Sequence, residues 1–224
     1  MTLRELLHDP GDYLRQVEQR AAEQFGGKAT LSLTDQLVDG KLVVQQGIIA
    51  GCAGGMYDNI AEAAAILSGG DVGCGPFSLS VYPPSIPVNL ELMQNGVQQA
   101  LLEAGVLFKP CFCGPCFGAG DVPANNALSV RHTTRNFPNR EGSKPGDGQL
   151  SGVLLMDARS IAATARNHGV VTSAAEVDYP APAPVRRTFD RGFSMGSAAA
   201  PASAGAPAPD WKSPAAGRAP AGGA

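Results

Sequence analysis

From Thr2 to Gln24 the apolar positions Leu3, Leu6, Leu7, Tyr13, Leu14 and Val17 recur at the spacing of one helix face. Pro10-Gly11-Asp12 interrupts the run, so the pattern predicts a helix before it and a second helix capped by it. Leu31 to Val44 reads as strands or a short hairpin around Asp39-Gly40. After that the rhythm alternates between strand and helix. Gly47 to Gly51 is a buried strand, followed by a helix that Asp58 or Asn59 caps and that runs through Ile60, Ala63, Ala64 and Ile66 to Leu67. Phe77 to Tyr82 alternates as a strand, Val88 to Ala104 is an amphipathic helix ended by Gly105, and Val106 to Phe108 is a short strand. A last strand, Gly152 to Met156, feeds a helix from Ala158 to Asn167 that His168-Gly169 ends.

Strands alternating with helices at these connection lengths predict a three-layer α/β/α fold with a mostly parallel sheet, filling residues 1–178. Such a sheet places its binding crevice beyond the carboxyl ends of its strands. From about Tyr179 the composition changes. Pro180, Pro182 and Pro184 precede an Ala-, Pro-, Ser- and Gly-rich run from Gly196 to Ala224, too poor in large apolar residues to offset its ordering entropy. Residues 179–224 are therefore expected to be a linker or disordered tail.

Charge narrows the partners. Among 224 residues, 17 basic and 20 acidic side chains give a net charge of −3 without blocks of one sign, which argues against nucleic acid or a membrane surface. The opening Met1-Thr2-Leu3-Arg4-Glu5 lacks a signal peptide's apolar core, and no stretch approaches the roughly 18 uninterrupted apolar residues of a membrane span. The cytoplasm is the expected location. There, five cysteines (Cys52, Cys74, Cys111, Cys113 and Cys116), an odd number with three inside six positions, suit metal binding or redox chemistry better than a disulfide framework.

Cys52 falls in a strand-to-helix turn, and Cys113-Gly114-Pro115-Cys116 lies just past another strand. Thiolates are soft ligands suited to iron or zinc. Shortly afterwards, Arg135 and Arg140 flank Asn136-Phe137-Pro138-Asn139, and their guanidinium forks can each grip a carboxylate at two points. Thiolates followed by arginines suggest a metal site that handles a small carboxylic acid. His132 could act as acid or base near neutral pH, although strand alternation turns it away from the face of Arg131 and Arg135. Arg131 could extend the basic pocket. Cys111 could compete as a ligand, whereas Cys74, between Gly73 and Gly75, reads as structural. Gly51, Gly54 and Gly55 have the wrong spacing for a dinucleotide fingerprint.

These residues resemble the aconitase family of iron-sulfur hydro-lyases. That family carries a cysteine after a short buried strand, a Cys-x-x-Cys pair about sixty residues on, and an Asn-Arg-Asn-Phe-x-Gly-Arg motif soon after. Here Cys113 follows Cys52 by 61 positions (113 − 52), and Arg135 follows Cys116 by 19 (135 − 116). The resemblance runs from about Gly47 to Gly169, a motif core of 47–169. It departs from the pattern at Ala53-Gly54, where Thr-Asn is usual, at Thr134 for Asn, and at Asn139 for Gly. It implies a 4Fe-4S cluster held by Cys52, Cys113 and Cys116, a hydroxy di- or tricarboxylic acid bound by Arg135 and Arg140, and addition or removal of water. It also implies a catalytic serine on a separate swivelling domain, absent from these 224 residues and possible as a partner chain. The alternatives are a non-catalytic iron-sulfur or zinc-binding module, and a dithiol redox protein using Cys113 and Cys116.

Overall fold

Helix α1, Gly11–Gln24, starts where the Pro10-Gly11-Asp12 interruption predicts it, with the Leu14 amide donating to the Pro10 carbonyl at 2.9 Å. The computed structural model describes residues 10–24, 26, 31–134 and 150–182. The expected helix at Leu3 to Leu7 therefore lies outside the described residues. Strands β1, Leu37–Val38, and β2, Lys41–Leu42, pair antiparallel around Asp39 and Gly40. Both turn residues have positive φ, 50° and 74°, as a tight hairpin turn requires.

The main sheet contains β3 (Gln46–Ile49), β4 (Ser78–Val81), β5 (Leu107–Phe108), β6 (Ala127–His132) and β7 (Ser151–Leu155) in the order β5-β4-β3-β6-β7. Every neighbouring pair in it is parallel. The chain grows outward from β3 to one edge, then crosses back to add β6 and β7 on the other side. Between β3 and β6 the direction of growth reverses, and such a switch point opens a crevice at the carboxyl ends of the two strands.

Helices α2 (Gly51–Gly54), α3 (Tyr57–Leu67), α4 (Ile86–Gln94), α5 (Val97–Glu103) and α6 (Ala158–Arg166) are the other α-helices among the described residues. Two details correct the sequence expectations. The single helix predicted from Val88 to Ala104 is two, because Gly96 adopts φ 73° between them and its amide turns back to the Met93 carbonyl. A left-handed residue ends the helical ladder whatever the apolar spacing says. At α3 neither Asp58 nor Asn59 is the cap: Met56 holds that position without a side-chain bond, and Asp58 lies in the first turn, where its charge complements the helix dipole.

Pleating gives the sheet two unlike faces. Ile49, Leu79, Val81, Leu128 and Val130 join the main core with Ile60, Leu67, Leu101 and Ile161 from the helices. There α6 lies against β3 and β6, and α3 packs along α6. The opposite face alternates with these residues and presents Gln46, Ile48, Ser80, Ser129 and Arg131, with Ile48, Ala50 and Tyr82 as a small separate apolar cluster. No helix among the described residues is long and apolar enough to cross a membrane. The described residues fall within one compact unit, Met1–Phe189, whose core still engages Val177 and Tyr179. Residues from 183 onward, most of the expected tail, lie outside the described residues.

Candidate metal centre at the sheet switch point

Cys52 and Thr134 stand just beyond the ends of the two strands that flank the switch point. The Ala50 amide continues the β3–β6 pairing by donating to the His132 carbonyl at 3.0 Å. Gly51 then takes φ 75° and starts the single turn of α2, which carries Cys52 out of the sheet. Asn59 fixes that turn from α3, its Nδ2 donating to the Ala53 carbonyl at 2.8 Å. As a result Cys52 Sγ lies 3.0 Å from Thr134 Oγ1.

Cys113 and Cys116 arrive by a different route. They follow β5, which is not adjacent to β3: β4 stands between them. The connection from β5 to β6 carries the pair back across the sheet. A 3-10 turn, Gly114–Cys116, sets their spacing, with the Cys116 amide donating to the Cys113 carbonyl at 3.2 Å. Cys116 is buried, while Cys113 and Cys52 are exposed. A Cβ added at Gly51 would lie 2.7 Å from Cys116 Sγ, so only glycine lets that sulfur approach the Cys52 turn. Burial pushes the Cys116 thiol up; a hydrogen bond from the Thr134 amide opposes this, and the neighbouring Cys113 and Cys52 sulfurs add to it. Thr134 thus touches two cysteines, one through its amide and one through its hydroxyl.

Sequence reasoning registered Thr134 only as a departure from a pattern. The signal that could have found it is its place two positions past the end of β6, opposite Gly51, which lies two positions past the end of β3. A second departure also has a structural counterpart. A Cβ at Gly54 would lie 1.9 Å from the His132 carbonyl oxygen, so the asparagine of the resembled pattern would need that strand end to stand further off.

The other residues singled out from the sequence fall as follows. Arg131 is 1% exposed and points onto the polar face, where Nε donates to Ser129 Oγ, Nη1 to the Pro115 carbonyl, and Nη2 to Gln46 Oε1 and the Asp121 carbonyl. His132 points to the helix face, and its Nδ1 accepts the Ala158 amide at the start of α6. Burial holds its pKa below the usual imidazole value against the pull of Asp157. Cys111 is partly buried, which raises its pKa, and Cys74 is exposed. Arg135 and Arg140 lie outside the described residues.

Among the described residues no three His, Cys, Asp or Glu side chains are gathered closely enough to hold one metal ion. The donor chemistry nonetheless fits a cluster. Three sulfurs approach one crevice from two chain segments, and an N–H and a hydroxyl are aimed at two of them. Hydrogen bonds to ligand sulfurs are a normal part of iron-sulfur sites, and each ligand of a cluster sits on a different iron, so the sulfurs need not crowd about one point.

A model of the aconitase family (aconitate hydratase) matches residues 1–163, more than half of the chain. The chain belongs to the aconitase family. Within it, similar relatives are a 3-isopropylmalate dehydratase large subunit of Nitratidesulfovibrio vulgaris, 32% identical over 125 residues, and a large subunit 1 of Methanopyrus kandleri, 33% identical over 121. Each alignment covers 54% of this chain and 29% of the relative. A 3-isopropylmalate dehydratase large subunit 2 of Pyrococcus furiosus is 34% identical over 113 residues, covering 48% of this chain and 28% of its own length. The chain thus spans less than a third of these aconitase-family relatives.

Proposed function

We propose that this chain is the cluster-bearing segment of an aconitase-type hydro-lyase, which adds water to, or removes it from, a hydroxy di- or tricarboxylic acid. What carries the reading is the meeting of Cys52 and Cys116, 64 positions apart (116 − 52), at Thr134 beside the switch point. In this reading Cys52, Cys113 and Cys116 hold a 4Fe-4S cluster, which when bound supplies an iron without a protein ligand as a Lewis acid for the substrate hydroxyl. Arg135 and Arg140 grip the substrate carboxylates and fix its orientation. Thr134 donates to the ligand sulfurs and holds the two ligand segments together. A zinc site is less well supported, because zinc gathers its ligands about one ion and no three His, Cys, Asp or Glu side chains among the described residues are so gathered.

The names of the relatives support a malate bearing an alkyl substituent as the substrate class. They also describe large subunits, which supports a separate companion chain. That chain would carry the swivelling domain and the base that removes the substrate proton. Without a positioned base, rate typically drops by about two to four orders of magnitude. The 224-residue chain alone should therefore bind its acid weakly and turn it over very slowly.

Anaerobic reconstitution followed by iron and sulfide analysis tests the ligand assignment. Serine at Cys52, Cys113 or Cys116 should cost most of the iron, and Cys74→Ser should retain it. Full iron content in Cys116→Ser would overturn the assignment. Hydration assays with unsaturated di- and tricarboxylic acids, with and without a companion chain, separate enzyme from non-catalytic module. Brisk turnover by this chain alone, abolished by Cys113→Ser, would show that it needs no companion.

A further inference from the structure

The connection from β5 to β6 has to cross the sheet, and the way it is held there is unusual. Helices cover the other face by apolar packing, whereas this connection lies on Gln46, Ser80, Ser129 and Arg131, a face with little apolar surface to offer. Side chains of that face hold it by hydrogen bonds at Pro115 and Asp121. The Arg131 guanidinium reaches both, with Nη1 3.0 Å from the Pro115 carbonyl and Nη2 3.0 Å from the Asp121 carbonyl. Gln46 Nε2 donates to the same Asp121 carbonyl at 3.1 Å, and Tyr82 Oη donates to Asp121 Oδ2 at 2.6 Å. Ser129 accepts from Arg131 and in turn donates to Gln46 Oε1 at 2.8 Å, which keeps the clamp in one arrangement.

Pro115 is the residue directly before Cys116. We infer that Arg131 is a positioning residue: by holding the Pro115 carbonyl from the carboxyl end of β6, it sets the Cys116 sulfur against Gly51 and therefore against the Cys52 turn. Three properties suit it to this. The planar fork of arginine presents several donors in fixed directions, so one side chain can span two carbonyls of a crossing segment. Burial at 1% exposure removes competing water. Its strand is the one whose end carries Thr134, so the sulfur and its hydrogen-bond donor are registered by the same element. Lysine has the charge but not the fork, and should hold the connection less well.

The inference rests on the ligand role proposed for Cys116, and two readouts keep the two apart. In the metal-free full chain, site-by-site alkylation by iodoacetamide, followed by peptide mass spectrometry at fixed pH, reads how well Cys116 is held. Arg131→Met should keep a cooperative unfolding transition, raise the Cys116 rate about tenfold through lost hydrogen bonds, and leave Cys52 within about twofold of wild type. Arg131→Lys should fall between them. After anaerobic reconstitution, Arg131→Met should bind less than half of the wild-type iron, and its residual cluster should give a changed visible circular dichroism spectrum. An unchanged Cys116 rate in Arg131→Met, or a rise matched at Cys52, overturns the inference. Should wild type take up no iron while the selective Cys116 effect is present, the clamp stands and the cluster reading fails. Where Arg131→Met does not fold, Tyr82→Phe removes a single hydroxyl from the same clamp. It should raise the Cys116 rate about two- to fivefold, and no change there overturns the inference equally.

Discussion

Gly54→Ala tests how tightly the candidate site is built against the sheet. The added Cβ would lie 1.9 Å from the His132 carbonyl oxygen and 2.8 Å from the His132 carbonyl carbon. Carbon and oxygen settle at about 3.3 Å or more, so α2 and the end of β6 must part by about 1.4 Å (3.3 − 1.9). The obstacle is backbone and cannot swing aside as a side-chain tip would. That same carbonyl accepts the Ala50 amide at 3.0 Å, so parting the segments also opens the last β3–β6 bond. Overpacking costs about 1–3 kcal/mol and the lost hydrogen bond about 0.5–1.5, together roughly 2–4 kcal/mol. At about 2–4 °C per kcal/mol for a domain of this size, the melting temperature of the metal-free chain should fall by about 4–16 °C. Thermal unfolding followed by circular dichroism measures this, with Gly75→Ala as control because a Cβ there meets nothing within 4 Å. The control should lie within about 1 kcal/mol of wild type. Equal melting temperatures for Gly54→Ala and Gly75→Ala would refute the reasoning. The same separation moves Cys52 away from Thr134, so iron content after reconstitution should fall in Gly54→Ala alone.

Two further predictions concern the start of α6. Asp157 caps it, with Oδ1 accepting the Arg159 and Ser160 amides at 3.0 and 3.2 Å and Oδ2 accepting the Ser160 hydroxyl at 2.8 Å, and Asp157→Ala should cost about 0.5–2 kcal/mol in urea unfolding at neutral pH. Burial alone would raise the pKa of that carboxyl, but the Ser160 and Arg159 bonds outweigh it and hold it below the ordinary value, so this stability should be full above about pH 4 and lost on further acidification. His132 is held neutral in the fold, its Nδ1 accepting the Ala158 amide, with a pKa below the ordinary imidazole value. The unfolded chain therefore takes up this proton first, and stability present above about pH 6.5 should decline as the pH falls through the lowered folded value. His132→Asn should flatten that part of a melting-temperature profile between pH 5 and 7, and an unchanged slope would exclude His132 as its source.

Much of this protein is determined locally. The alternation of Phe77 to Tyr82, the helical spacing from Ile60 to Leu67 and the Asp39-Gly40 turn each fix one element by short-range sterics and amphipathicity, and those elements stand where the sequence predicts them. The strand-helix rhythm likewise implies a parallel sheet, because parallel strands need crossovers of such length. The cysteine spacing is likewise local information, and it is what suggests the proposed soft-ligand chemistry. Strand order is different: the rhythm is the same whether β6 joins beside β5 or beside β3. Only tertiary packing puts β6 next to β3, creates the switch point and brings Thr134 to Cys52 across 82 positions. The same long-range choice settles Arg131. Alternation shows that its face differs from that of His132, but not that the face is crossed by the segment carrying Cys116. A charged side chain in sequence reads as a surface or pocket group; it becomes an internal clamp when the chain returns over it with carbonyls to satisfy.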